Sequence, residues 1–204
     1  MYFLRYIVCL LLTFTLGVGS AFGWTLHLKT LHVSPPPEGH KQFCSDFPSH
    51  CKKSGGLPYT PWSPRLEKLL GLVNREVNDG IEHVSDLDKH GYPEVWELNP
   101  HTGDCEEYTI RKRAWLINEN ISPNALRLTW VKTERNEDHL VLMVITDRDD
   151  FVLDNRFKQV KKIADLIGYD FIKQTSGWDP TIWVKLEDTR IDLRKETLAE
   201  IQKK

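Results

Sequence analysis

The order of the patterns along the chain predicts an α+β domain, with helices packed on an antiparallel sheet. Two helical patterns come first, at 64–80 and from 105 onward, and five strand-like runs follow them. Segregated runs of this kind give that class, whereas regular alternation would give a parallel α/β sheet. The length of 204 residues and a hydrophobic content of 40% suit one domain with a real core. A net charge of -2, with no long basic stripe, argues against a nucleic-acid partner.

Residues 1–23 read as a signal peptide. Arg5 is a short positive n-region, Tyr6–Gly19 is apolar, and Gly19-Ser20-Ala21 or Ala21-Phe22-Gly23 offers small residues for cleavage. The run is shorter than the roughly 20 apolar residues a membrane span needs. An uncleaved anchor is the competing reading, and export to the periplasm is the expectation. Residues 24–63 read as an extended arm with little regular structure, since Ser34-Pro35-Pro36-Pro37, Gly55-Gly56, Pro58 and Pro61 punctuate them. Cys44 and Cys51 in that arm suit a disulfide of an oxidising compartment. A metal site lacks a CxxC spacing or a matching histidine pair. With Cys9 in the signal segment, Cys105 is left as the odd thiol.

The main domain, 64–204, opens on Ser63-Pro64, a helix start, and Leu66, Leu69, Leu70, Val73 and Val77 form one apolar stripe ended by Asp79-Gly80. Asn74 and Asn78 lie one turn apart on a neighbouring face, where exposure is the expectation and backbone bonding the alternative. Residues 81–102 read as a loop. Trp96 within it has two readings, a wall of a substrate cleft or plain core.

Gly103-Asp104-Cys105-Glu106-Glu107-Tyr108 is the stretch on which function turns. Asp104 is a good N-cap type, and Glu107 completes a capping-box spacing. Ile110, Ala114 and Ile117 recur behind it at helical intervals, with Trp115 beside them. A thiol in a first helical turn feels the positive end of the macrodipole, which favours the thiolate. The strand-like runs are Ala125–Lys132, His139–Thr146, Asp149–Asp154, Tyr169–Gln174 and Ile182–Glu187. A helical run is expected from Arg156 to Ile167, and Glu196–Lys204 reads as a short amphipathic tail.

Cys105, His139 and Asp154 then follow in the order nucleophile, base, orienter. If the hairpin between the last two turns about Thr146 and Asp147, they are direct cross-strand neighbours, about 5 Å apart at Cβ. A turn centred on Arg148-Asp149 would separate them by roughly 13 Å. The sequence leaves both registers open. His101 is the nearest competitor for the base, but it precedes the helix in the same loop.

These residues resemble the bacterial transglutaminase-like cysteine peptidases. The likeness rests on 103–108, on His139-Leu-Val-Leu and on Val152-Leu-Asp-Asn. It extends to Phe43-Cys44 with Pro48 and Cys51, to Asn74, Asn78, Tyr92 and Trp96, and to Tyr169-Asp170-Phe171 and Trp183. It implies a papain-like, transglutaminase-type fold with Cys105 as nucleophile, His139 as base and Asp154 as orienter. One branch of that family consists of calcium-dependent periplasmic proteases that release surface adhesins and are sequestered by an inner-membrane receptor for a cyclic dinucleotide. That branch implies calcium at the acids flanking the nucleophile, here Asp104 and Glu106. The rival for those acids is capping of the helix and its dipole. The chain departs from the branch at Glu107, where aspartate is commoner, and in its Cys44/Cys51 pair. The same three residues would serve hydrolysis or acyl transfer to an amine, while a non-catalytic periplasmic binding module is the reading from another class.

Overall fold

The computed structural model describes residues 27–98, 100–188 and 190. The expected signal peptide and the expected C-terminal tail lie outside the described residues. The centre is a seven-stranded sheet in the order β1-β9-β8-β4-β5-β6-β7, every neighbouring pair antiparallel. Its strands are β1 (Lys29–Ser34), β4 (Leu126–Lys132), β5 (Asp138–Ile145), β6 (Asp150–Leu153), β7 (Lys161–Lys162), β8 (Asp170–Thr175) and β9 (Trp183–Glu187). The helices are α1 (Glu38–Asp46), α2 (Pro64–Gly80), α3 (Asp86–His90) and α4 (Cys105–Asn118), and β2 (Glu82–His83) pairs in parallel with β3 (Thr102–Gly103). The α+β expectation holds.

β5 explains why the sheet is the core. Leu140, Val141, Leu142, Met143 and Val144 are all fully buried, because alternate residues enter two different clusters. Leu140, Leu142 and Val144 pack with Leu70, Val73, Ile110 and Leu116 of α2 and α4. Val141 and Met143 pack with Val131, Ile163, Tyr169 and Phe171 on the other face. α2 matches its sequence signals: Ser63 Oγ accepts from Leu66 N–H at 3.1 Å, Pro64 takes the first position, and Leu66, Leu70, Val73 and Val77 are buried.

The stretch 81–102 is not wholly loop, since it carries β2, α3 and the start of β3, and four further expectations need correction. The segment 24–63 is not an arm with little regular structure, for it carries β1 and α1. β1 is held by pairing with β9, Lys29 to Glu187 through Ser34 to Trp183, and five of its six residues are exposed, so no apolar alternation marked it. α1 lies so close to Trp96 that a Cβ on Gly39 would sit 2.4 Å from the indole. Arg156–Ile167 is not a helix. Its carbonyls at Phe157 and Lys158 are taken by Asn74 Nδ2 at 2.8 and 3.3 Å, and Lys161–Lys162 pairs with the edge of β6. Asn74 and Asn78 are accordingly not exposed polar residues: Asn74 is fully buried, and Asn78 Nδ2 donates to the backbone of Asp154 and Phe157 at 3.0 and 3.1 Å.

The fourth correction concerns α4. The predicted stripe Ile110, Ala114, Ile117 is fully buried only at Ile110, while Thr109, Lys112, Arg113 and Leu116 are all buried. α4 is a central helix, enclosed by polar and apolar neighbours alike, so apolar periodicity could not find its inner face.

Candidate active site

The first turn of α4 begins where a tight approach demands it. A Cβ on Gly103 would lie 2.6 Å from Glu107 Cγ, so only glycine lets the chain enter the helix this way. Glu107 Oε2 accepts from Asp104 N–H at 3.0 Å, the return half of the expected capping box, and Oε1 accepts from Glu97 N–H at 2.9 Å. Cys105 follows as the first helical residue. Its half-buried thiol donates to Glu106 Oε2 at 2.9 Å, and Leu140 N–H donates to Sγ at 3.4 Å.

That last bond ties the thiol to the residue after His139. His139 Nε2 meets Asp154 Oδ1 at 2.8 Å, with both side chains buried. The pairing does not use the direct register. Leu142 faces Leu153 and Ile145 faces Asp150, so the turn centres between Asp147 and Arg148, midway between the two alternatives. Asp154 thereby falls opposite Val141, and His139 is its diagonal neighbour on the same face. Diagonal Cβ atoms stand roughly 7–8 Å apart, within reach of a histidine and a carboxylate.

Asp154 is held from all sides. Tyr169 OH donates to Oδ2 at 2.7 Å, and Arg156 N–H donates to Oδ1 at 2.8 Å. Burial pushes this carboxyl up, but the bonds from His139, Arg156 N–H and Tyr169 outweigh it and hold the group below its ordinary value. The acid is therefore ionised and fixes the ring. A neutral His139 with Nε2–H on Asp154 carries its lone pair on Nδ1, a tautomer assigned from the bond.

The thiol behaves otherwise than the helix dipole alone predicts. Burial raises its pKa well above the ordinary value, and the Glu106 carboxylate beside it adds to the rise. Glu106 is itself raised, by burial and by Asp104, and Glu107 is raised to about 8, chiefly by burial. Ligand atoms of Asp104, Cys105 and Glu106 lie within 4.8 Å of one another, and so do those of Asp86, Asp104 and Glu107. Asp104 Oδ1 is buried without a hydrogen-bond partner. Crowded carboxylates with an orphaned oxygen fit a hard cation, for which oxygen is the preferred ligand. A third group, His40 with Cys44 and Cys51, is closed to metal because the two sulfurs form the expected disulfide.

Cys105 and His139 line one cleft of about 570 Å³ with Asp104, Tyr108, His83 and Asn155. Trp96 is not in that lining. It is 5% exposed and stacks edge-on against His40 at 5.4 Å, so the core reading of this tryptophan stands and the cleft-wall reading does not. His101 is exposed and also lies outside the lining. Tyr169, Asp86 and His83 are site residues that sequence reasoning missed in this role, while Asn78 takes the backbone-bonding alternative rather than exposure. Tyr169 lies 15 residues from Asp154 with no spacing rule between them, and only its place in the family-like run 169–171 marked it.

Residues 30–191 match the family model described as bacterial transglutaminase-like cysteine proteinase, BTLCP. Solved structures of Legionella pneumophila LapG are similar to this chain at 18% sequence identity. One covers 81% of this chain and 90% of its own length with a TM-score of 0.50, and an EGTA-treated form covers 76% and 85%, also with 0.50. A calcium-bound form covers 70% and 78% with a TM-score of 0.49. The two likenesses with a TM-score of 0.50 show the fold, a transglutaminase-like one. No curated protein sequence matches the chain.

Proposed function

The chain belongs to the bacterial transglutaminase-like cysteine proteinase family, and from that membership we propose that it is an exported peptidase in which Cys105 is the nucleophile, His139 the base and Asp154 the orienter. As a cysteine peptidase it is a hydrolase with a protein substrate. The observation that carries the residue assignment is the 2.8 Å bond between His139 Nε2 and Asp154 Oδ1, one residue from the Leu140 N–H that meets Cys105 Sγ.

His139 Nδ1 takes the thiol proton, and Sγ attacks the scissile carbonyl. First-turn N–H groups of α4, beginning with that of Cys105, are the natural donors to the oxyanion. The protonated ring then gives its proton to the departing amine, and water attacks the thioester with His139 again as base. Asp154 holds the imidazole in orientation and stabilises its charged form. Intact-mass analysis during turnover of a denatured protein substrate tests the chemistry. An acyl adduct on Cys105 is expected, and cleavage undiminished in Cys105→Ala would reject it.

We propose further that calcium binds at Asp104 with Glu106, Asp86 and Glu107. Bound there, it would neutralise the acids that hold the thiol protonated. The orphaned Asp104 oxygen supports this reading. Calcium added to chelated protein should raise the midpoint of thermal unfolding and the alkylation rate of Cys105, and no change in either would remove the proposal. The periplasm is the proposed location, supported by the apolar run Tyr6–Gly19 and by the Cys44–Cys51 bridge. A large surface adhesin as substrate and an inner-membrane receptor as regulator are proposed on the sequence resemblance alone. Loss of adhesin release from cells carrying Cys105→Ala tests the first.

A further inference from the structure

A cavity of about 370 Å³ opens between the C-terminal half of α4 and the segment 49–54, and it shares no lining residue with the Cys105 cleft. Arg113 in its wall lies eight residues along α4 from Cys105, about 12 Å by the helical rise. The facing segment is held in place by the fold itself. Cys51 is bridged to Cys44, and Arg113 Nη1 donates to His50 O at 3.1 Å. Ser54 Oγ donates to Asn124 Oδ1 at 2.8 Å, and Asn124 Nδ2 donates back to Ser54 O at 3.0 Å.

The charge in this wall is of one sign. Arg113, Lys52 and Lys53 line the cavity, and no aspartate or glutamate does. Lys53 pairs with Asp179 at 3.0 Å, whereas Lys52 has no acidic partner among the described residues. Arg113 is 6% exposed, and both of its hydrogen bonds go to carbonyls, from Nε to Leu126 O at 3.4 Å and from Nη1 to His50 O. Nη2 bonds nothing among the described residues, yet it keeps accessible surface. Other buried arginines have their carboxylates, since Asp150 acts on Arg127 and Asp188 pairs with Arg190. Nothing of the kind reaches Arg113, whose pKa burial alone lowers to about 10. A cation taken out of water without a counter-charge is costly, and an anion in the cavity would supply one. The negative end of the α4 dipole opposes this only weakly. Carbonyls of Trp115, Leu116 and Ile117 are occupied by the N–H groups of Glu119, Ile121 and Asn120.

We infer that this cavity is a binding site, separate from the catalytic cleft, for the phosphoryl group of a phosphate monoester. With Nε and Nη1 occupied by carbonyls, the guanidinium cannot grip a carboxylate with two parallel bonds. Single donors from Arg113 Nη2, the Lys52 ammonium and the Ser49 hydroxyl suit the three oxygens of a phosphoryl group instead. The organic part of the ester lies against Leu98 and Ile117, which are half-buried in the same wall.

The test titrates the full chain near neutral pH with phenyl phosphate, benzoate and benzyl alcohol by calorimetry, with the His50 ring followed by NMR as a reporter in the cavity wall. Phosphatidylcholine vesicles carrying phosphatidic acid form a further arm, because a lipid headgroup can supply the same group. Phenyl phosphate should bind saturably, shift the His50 ring and bind about tenfold more tightly than benzoate, with no binding of benzyl alcohol. Co-sedimentation with the vesicles that phenyl phosphate competes away would assign a lipid source, and phenyl phosphate binding without it a soluble ester. Lys52→Glu reverses an exposed charge and should weaken phenyl phosphate about tenfold, while Lys68→Glu, an exposed position on α2, should leave it unchanged. Peptidase activity should be intact in both. Arg113→Met should abolish binding; because this variant removes two bonds from a buried side chain and can fail to fold, the two lysine variants decide if it does. No saturable binding, no shift of the His50 ring, benzoate as tight as phenyl phosphate, or equal losses in Lys52→Glu and Lys68→Glu would each overturn the assignment.

Discussion

Asp154 illustrates how one residue is made competent by neighbours that sequence spacing does not reveal. Its place after Cys105 and His139 was legible, because the proposed nucleophile, base and orienter stand on elements with clear helix and strand signals. Its supports were not. Tyr169 OH reaches Oδ2 from the start of β8, and Asn78 reaches the Asp154 carbonyl from α2, through contacts that exist only once the chain is folded. Tyr169→Phe removes one charged hydrogen bond from a buried carboxylate, worth about 1.5–3 kcal/mol. With catalysis feeling part of that loss, kcat/KM should fall about tenfold with KM nearly unchanged. Asp154→Asn should cost far more, since the wrong tautomer of His139 then prevails, a change that lowered a serine triad about 10⁴-fold. Equal losses in the two variants would contradict the supporting role given to the tyrosine. Of the acids proposed to hold calcium, Asp104 and Glu106 flank the cysteine in sequence, but Asp86 arrives through α3, whose N-cap signal at Ser85 was hidden in an apparent loop.

At the scale of elements, the sequence marked α2, the start of α4 and the five later strands, because each carries strong periodicity or an end signal. It missed β1, which is exposed and held by pairing with β9, and it read 156–167 as a helix because side chains of α2 had no visible claim on those carbonyls. α4 holds the clearest energetic oddity. Lys112 is fully buried, its Nζ has no hydrogen-bond partner, and it stands 5.9 Å from the Tyr108 ring. Burial lowers its pKa to about 7, and the charge of Asp154 only partly resists. A lysine depressed in the folded state binds fewer protons there than in the unfolded chain, so stability rises with pH from about 7 toward the unfolded value near 10.4. Replacing an unpaired buried charge by an apolar group of similar length removes that cost. Lys112→Met should therefore be more stable than the natural chain at pH 7 by about 1–3 kcal/mol, with the difference shrinking toward pH 10. Urea melts at the two pH values measure this, and a less stable methionine variant would contradict it.

Across the whole molecule, the fold class was legible because segregation of helical and strand patterns survives any local error. The way the N-terminal segment closes the molecule was not. His40 of α1 lies between Trp96 and Trp183, both at 5.4 Å, and its Nδ1 accepts from Trp183 Nε1 at 3.1 Å. Burial, with the charge of Arg113 behind it, lowers its pKa to about 4. The unfolded chain then binds a proton between about pH 6.5 and 4 that the folded chain refuses, so stability should fall as pH drops through that window. His40→Gln should flatten that part of the profile. The Cys44–Cys51 bridge holds the same segment, and its removal by Cys44→Ser with Cys51→Ser should cost about 2–3 kcal/mol by loop-closure entropy. Thermal unfolding of the double variant checks it.

The most direct test of the account is the rate at which iodoacetamide alkylates Cys105 in the calcium-supplemented protein, followed against pH beside His139→Ala. If the imidazole ionises this thiol, the natural chain should react at least about tenfold faster than the variant near pH 6.5, and the two should converge as the pH approaches the free thiol's own range. Equal rates across the whole profile would mean that histidine and thiol do not act as a pair.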